Sequence, residues 1–185
     1  MKATPTTLPG VLLIEPDVYG DPRGFFLETY REERYRALGV SDRFVQDNLS
    51  SSQRGVLRGL HFQHPRAQAK LVWVLEGEVF DVAVDIRTGS PSYGEWFGAV
   101  LSAHDKRQLY VPAGFTHGFC VLSERALFTY KCSEPFDPQA DRGVRWDDPD
   151  LGIEWPIEDP VLSDKDARAP RLRDLDRALL PSFDG

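Results

Sequence analysis

Between Gly55 and Pro135 one short apolar stretch follows another, broken at Glu76-Gly77, at Thr88-Gly89-Ser90-Pro91 and at Pro112-Ala113-Gly114. Runs of this length between turn residues form strands, and so many in succession demand a sandwich or barrel. From Lys70 to Leu75 both strand faces are apolar apart from the lysine, Val72 and Val74 alternating with Leu71, Trp73 and Leu75. Such a strand must be covered on both sides. The next one is two-faced. Phe80, Val82, Val84 and Ile86 share one side, and Asp81, Ala83, Asp85 and Arg87 the other. One face should therefore meet a core or a partner, while the other lines something wet. With few helices to cover the outside of such a sheet, the simplest cover is a second copy of the chain, so a homodimer formed by sheet packing is expected.

From Leu8 to Tyr30 short apolar runs alternate with Pro and Gly, and Asp21-Pro22-Arg23-Gly24 reads as a turn between two strands. Arg31 to Leu38 has a helical pattern and Gly39 stands where a C-terminal cap falls. After Pro135 the chain becomes polar and irregular, anchored by Trp146, Trp155 and several prolines, and Ser163 can cap a short helix carrying Lys165 and Asp166. At 185 residues the chain suits a single domain spanning 1–185. The barrel core is placed at about residues 40–135, with the N-terminal strands and the irregular C-terminal segment packing around it.

A formal net charge of −7 argues against nucleic acid as a partner, which requires a surplus of Lys and Arg. Met1 to Gly10 lacks a basic stretch followed by an apolar run, and no segment approaches the roughly 20 apolar residues of a membrane helix. No membrane association is expected, and a cytoplasmic location is. Cys120 and Cys132 lie in apolar strand-like runs without metal or redox spacing, and read as buried free thiols. An anionic small ligand would need a local cationic pocket, which draws attention to each Arg or Lys inside a strand run.

Two segments carry chemistry. Arg58-Gly59-Leu60-His61-Phe62-Gln63 is followed by Lys70 and Gly77, and Pro112-Ala113-Gly114-Phe115-Thr116-His117-Gly118-Phe119 comes later. Together they resemble the two signatures of the cupins, and this implies an all-β, cupin-type jelly-roll barrel with short flanking helices. In a metal-binding cupin the frame is His-x-His, a Glu six residues before a Gly, and Pro-x-Gly-x-x-His. Here Gln63 replaces the second histidine and Lys70 takes the glutamate position. An ammonium cannot easily share a divalent cation's shell, because like charges at about 4 Å cost several kcal/mol in a low-dielectric site. No metal and no cofactor are expected. A lysine in a β lumen instead supplies fixed positive charge for an oxyanion, and a histidine can take and return a proton. These are the parts needed to form an enolate beside a ketone.

The resemblance then narrows. Gly20-Asp21-Pro22-Arg23-Gly24-Phe25-Phe26-x-Glu28, Gln46-Asp47-Asn48, Arg58 to His61, Lys70-Leu71-Val72, Gly77 to Val82, Pro112 to Phe119, Tyr130-Lys131 and Leu162-Ser163-x-Lys165-Asp166 are similar, in order, to the dTDP-4-dehydrorhamnose 3,5-epimerase family. The likeness runs from about Gly10 to Leu172. It implies that His61 is the base acting at carbons 5 and 3 of a dTDP-4-keto-6-deoxysugar, oriented by Asp166, with Tyr130 as the acid on the opposite ring face. Lys70 is implied as the partner of the carbon-4 oxyanion, its head held by Asp81 or His117. Arg23 and Arg58 are implied at the pyrophosphate, and Glu28, Gln46, Asp47 and Asn48 at sugar and base, with Phe25 or Phe26 stacking on thymine. Asp141 and Lys165 complete the implied substrate contacts, although Asp141 stands where the family tends to have Glu. In the family the segment from Arg23 to Glu28 reaches into the neighbouring subunit's pocket.

Near relatives of this reading are a 3-epimerase and a 3,4-ketoisomerase on the same scaffold. A metal-dependent cupin is disfavoured by Gln63 and Lys70, and a noncatalytic sugar-nucleotide sensor by the want of a basic arm.

Overall fold

A computed structural model of the chain describes residues 1–183. The first strands are β1 (Lys2–Pro5), β2 (Leu12–Glu15), β3 (Val18–Asp21) and β4 (Gly24–Leu27), followed by helix α1 (Glu32–Ala37). Then come β5 (Gln46–Gln53), β6 (Leu57–Gln63), β7 (Lys70–Glu76), β8 (Glu78–Asp85) and β9 (Trp96–Ser102). The remainder comprises β10 (Gln108–Val111), β11 (Phe115–Val121), β12 (Arg125–Cys132), β13 (Asp141–Gly143) and the one-turn helix α2 (Asp164–Ala167). The strands form two facing antiparallel sheets, ordered β1-β2-β10-β7-β12-β5 and β13-β6-β11-β8-β9, the jelly roll that the cupin resemblance implied. Both sheets recruit strands from outside residues 40–135, namely β1, β2 and β13.

The core lies between the sheets. Val72, Val74, Leu109, Ala126 and Phe128 come from one side, and Val79, Ala83, Leu101, Phe119 and Val121 from the other. The Glu76-Gly77 turn is tight enough that a Cβ on Gly77 would stand 2.1 Å from the Arg125 carbonyl oxygen, and its φ is +81°. Glycine is required there on both counts.

The outer side of β7 differs from expectation. Leu71 is covered from within the chain, by Tyr35 of α1 together with Ile14, Val40 and Tyr110. The helix is short but lies against the sheet, and Gly39 (φ +99°) turns the chain back after it. Leu75 and Leu49 remain exposed. On β8 and just past its end, Val82, Val84 and Ile86 are sealed by Val144, Leu151, Leu172 and Leu180 of the C-terminal segment. The other face of β8 is not wet as expected, since Asp81, Ala83 and Asp85 are fully buried. Asp85 is satisfied locally, accepting from Arg87 at 2.9 and 2.7 Å, Ser90 at 2.6 Å and Ser92 at 2.8 Å. Burial pushes its carboxyl up, but these donors outweigh burial and hold it below the usual range. Arg87 in turn lies between the rings of Phe115 and Phe183.

The β3–β4 hairpin pairs with no other strand among the described residues. It presents Val18, Tyr19, Phe25 and Phe26 to solvent, Phe26 at 70% exposure.

Candidate active site

Strands β6 and β11 run side by side with His61 opposite His117, and the register shifts just beyond, between His117 and Phe119. Two glycines permit this. A Cβ on Gly59 would lie 2.6 Å from the Gly118 Cα, and one on Gly118 would lie 2.8 Å from the Arg58 carbonyl oxygen. A bulge of this kind re-aims neighbouring side chains, which accounts for glycine in both Arg58-Gly59-Leu60-His61 and His117-Gly118.

Ser163 caps α2 as its position suggested, its hydroxyl accepting from the Asp166 N–H at 3.1 Å. The cap swings the Asp166 carboxylate onto β6, where one oxygen meets His61 Nε2 at 2.6 Å and the other accepts from the Gly59 N–H at 3.4 Å. Asp166 is buried and His61 half-buried. Burial opposes ionisation of Asp166, but the bonds from His61 and Gly59 prevail and keep it below the ordinary carboxylate range. An ionised carboxylate at that distance holds the ring by Nε2 and leaves the other ring nitrogen as the base.

Across from His61, Tyr130 projects from β12, which belongs to the other sheet. The two side chains line one cavity of about 380 Å³ together with Lys70, Gln46, Asn48, Asp141 and Lys165. An inner chamber of about 170 Å³ shares His61, Lys70 and Tyr130 and continues over Ser50, Arg58, His117, Phe119 and Phe128. Burial raises the Tyr130 phenol, Cys132 and Asp141 add to this, and Arg58 only partly opposes it. The phenol therefore carries its proton at neutral pH. Lys70 opens β7 beside Cys132, where burial lowers its pKa while Cys132, Asp141 and Asp81 pull the other way.

Among the described residues the expected hydrogen bond to Lys70 from Asp81 or His117 is not made, although the charge of Asp81 still favours the ammonium. Both Asp81 oxygens accept from His117 Nε2, at 2.9 and 3.0 Å, so neither Asp81 nor His117 is hydrogen-bonded to the lysine. The physical reason is register: Asp81 faces Phe119, one step diagonal from His117, and the imidazole reaches it first.

The other expected residues divide into three groups. Gln46 and Asn48 face the cavity, whereas Asp47 between them points outward and pairs with Lys131 at 2.8 Å. Arg58 is in the inner chamber, its Nε donating to Ser52 at 3.0 Å, while Asp141 and Lys165 form an ion pair on the cavity wall. Arg23, Phe26 and Glu28 are not in this cavity. Arg23 folds back on Asp21, and Glu28 pairs with Arg34 at 3.0 Å and Arg31 at 3.4 Å.

Sequence reasoning passed over Gln68, Cys132 and Phe136, all of which line the cavity. Cys132 was within reach of alternation, being two residues beyond Tyr130 on the same strand face. The other two lie outside regular strands and carry no periodic signal. Gln63 is held by loop backbone, donating to the Arg66 and Pro135 carbonyls at 2.7 and 3.3 Å and accepting from the Asp137 N–H at 2.9 Å. It ties down the cavity rim.

Comparison with known proteins agrees with this geometry. The family model of dTDP-4-dehydrorhamnose 3,5-epimerases matches residues 5–174. The enzyme of that name from Pseudomonas aeruginosa is 53% identical over 178 residues, covering 95% of this chain and 98% of the relative. A dTDP-4-dehydrorhamnose 3-epimerase from Streptomyces niveus is 44% identical over 186 residues, 99% of this chain and 90% of the relative. A crystal structure of dTDP-6-deoxy-D-glucose-3,5-epimerase from Legionella pneumophila Philadelphia 1, in complex with dTDP-4-keto-L-rhamnose, superposes with a TM-score of 0.97 at 51% identity. That likeness covers 100% of this chain and 99% of the other. With a family match over most of its length and relatives of half-identical sequence, the chain belongs to the dTDP-4-dehydrorhamnose 3,5-epimerase family.

Proposed function

We propose that the protein is an isomerase that epimerises dTDP-4-dehydro-6-deoxy-D-glucose at carbons 3 and 5, giving dTDP-4-dehydro-L-rhamnose. The observation that carries this is the origin of His61 and Tyr130 on opposite sheets of one cavity that Lys70 also lines. Inversion requires removal of a proton from one ring face and delivery to the other, and a lone base would only return the proton where it found it.

His61, oriented by Asp166, takes the proton from carbon 5. The C–H electron pair moves toward the carbonyl and the charge on the carbon-4 oxygen is offset by the Lys70 ammonium. Tyr130 delivers its phenolic proton to carbon 5 from the far side as the ketone re-forms. His61 then loses its proton and Tyr130 regains one through solvent, after which the same sequence runs at carbon 3. His117 and Asp81 close the wall beside Lys70, and Arg58, Gln46, Asn48, Asp141 and Lys165 serve the diphosphate and nucleoside.

The protein acts as a cytoplasmic homodimer. Support comes from the β3–β4 hairpin, an unpaired arm with four exposed apolar side chains. A second copy of the chain would cover that arm, and Arg23, Phe26 and Glu28 would then serve the partner's cavity.

The test is incubation with substrate in deuterated water. Deuterium is expected at carbons 3 and 5 and His61→Asn should cut both by about 10²- to 10⁴-fold; no incorporation by the unaltered protein would overturn the reading. The Streptomyces niveus relative, named a 3-epimerase, favours one alternative, in which label appears at carbon 3 alone.

A further inference from the structure

The inward face of β5 carries Gln46, Asn48, Ser50 and Ser52 in alternation, opposite Cys132, Tyr130, Phe128 and Ala126 of β12. Three of these four polar side chains are served by the protein itself. Gln46 donates to Asn48 at 3.0 Å and accepts from the Phe136 N–H at 2.8 Å. Asn48 donates to the Cys132 sulfur at 3.6 Å, and Ser52 accepts from Arg58 at 3.0 Å. Ser50 is different: its hydroxyl oxygen is buried and has no hydrogen-bond partner among the described residues.

Its surroundings make this notable. The residue opposite, Phe128, stacks on Phe119 with ring centres 4.0 Å apart. Trp73 Nε1 and Thr116 Oγ1 are also buried without a partner; what sets Ser50 apart is its place on a chamber wall, where a bound molecule can serve its hydroxyl. Ser50 lines the inner chamber with Arg58, His61, Lys70, His117 and Tyr130. One step between staggered χ1 wells redirects its oxygen, and the hydroxyl both donates and accepts.

We propose that Ser50 is a specificity-determining contact for the 2-hydroxyl of the sugar ring. This rests on the epimerase reading. The sugar has two free hydroxyls, on carbons 2 and 3, and the 3-hydroxyl changes ring face when carbon 3 is inverted. A partner fixed in a strand wall would hold it in only one epimer. The 2-hydroxyl keeps its configuration through substrate, enolate and product. A contact made equally in all three states adds affinity without speeding the chemical step, so its loss appears in KM and not in kcat.

The experiment measures kcat and KM for the unaltered protein and for Ser50→Ala, each with the full substrate and with its 2-deoxy analogue. Ser50→Ala should raise KM about tenfold with kcat within about twofold, and the 2-deoxy analogue should cost the unaltered protein a similar factor. Together they should cost no more than either alone, because both remove the same bond. The variant should melt no lower than the unaltered protein, since it loses an unserved buried hydroxyl. An unchanged KM, or losses that multiply to about a hundredfold, would overturn the assignment. Turnover of the full substrate by the unaltered protein is a separate control: its failure sinks the epimerase reading itself, whereas multiplied losses beside normal turnover sink only the role of Ser50.

Discussion

Tyr130 is the residue whose assignment can be separated most sharply from that of His61. A phenol that supplies the second proton is needed for inversion but not for enolate formation. Tyr130→Phe should therefore lower inversion by about 10²- to 10⁴-fold while deuterium wash-in to recovered substrate falls less than about tenfold. Equal loss of both would show that the phenol acts earlier. At this scale much was legible before folding. His61 and Lys70 stand out in the altered motif, whereas Asp166 was implied only by the family resemblance; that the Ser163 cap aims it at His61 is seen in the fold. The hydrogen bonding around Lys70 was not legible, because the contact between Asp81 and His117 spans 36 positions and is decided by the diagonal register of β8 on β11. Alternation tells which residues share a face, not which of two neighbours reaches a partner first. The same limit hid Ser50, whose want of a partner is visible only when β12 is laid beside it.

Among the elements, β8 shows what period-two patterning leaves open. The pattern separated its apolar and acidic faces correctly, but the acidic face is closed by local donors and by the Phe115–Arg87–Phe183 stack. Replacing Asp85 by Ala strands the half-buried Arg87 without its carboxylate, and should cost about 3 kcal/mol, lowering Tm by about 6–12 °C. The pH dependence has a definite sign. The folded carboxyl titrates below its ordinary value of 3.8, so its stabilisation is complete above that pH and is lost as pH falls through the folded value. Thermal melts should show a wide gap between Asp85→Ala and the unaltered protein at neutral pH that narrows in strong acid; a constant gap would mean that the cost is one of packing. Helix α1 was readable from its pattern and Gly39, but its role as cover for Leu71 was not, since no local signal says where a short helix docks. Strand β13, at three residues, is too short for any periodicity.

At the scale of the whole molecule the open question is the arm. Hairpin β3–β4 displays Tyr19, Phe25 and Phe26, each more than 60% exposed, and a soluble chain seldom keeps such a patch uncovered. Sedimentation is expected to give a dimer at micromolar concentration, and replacing Phe25 and Phe26 together by Ser should weaken it by about tenfold or more. A stable monomer of the unaltered chain would count against the arm as an interface. Strand spacing alone indicated a sandwich or barrel, whereas the arm's lack of a strand partner among the described residues appears only once every other strand has been paired. The placement of α2 bears on synthesis. The other side chains named in the proposed proton transfers, His61, Lys70 and Tyr130, have all been made once β12 is complete, but the Asp166 carboxylate that meets the imidazole comes some thirty residues later, on a single helical turn folded back against β6. Under the proposed proton transfers, a ribosome-bound chain stopped before that turn would carry His61, Lys70 and Tyr130 without the carboxylate that aligns the imidazole, and without Lys165 of the cavity wall.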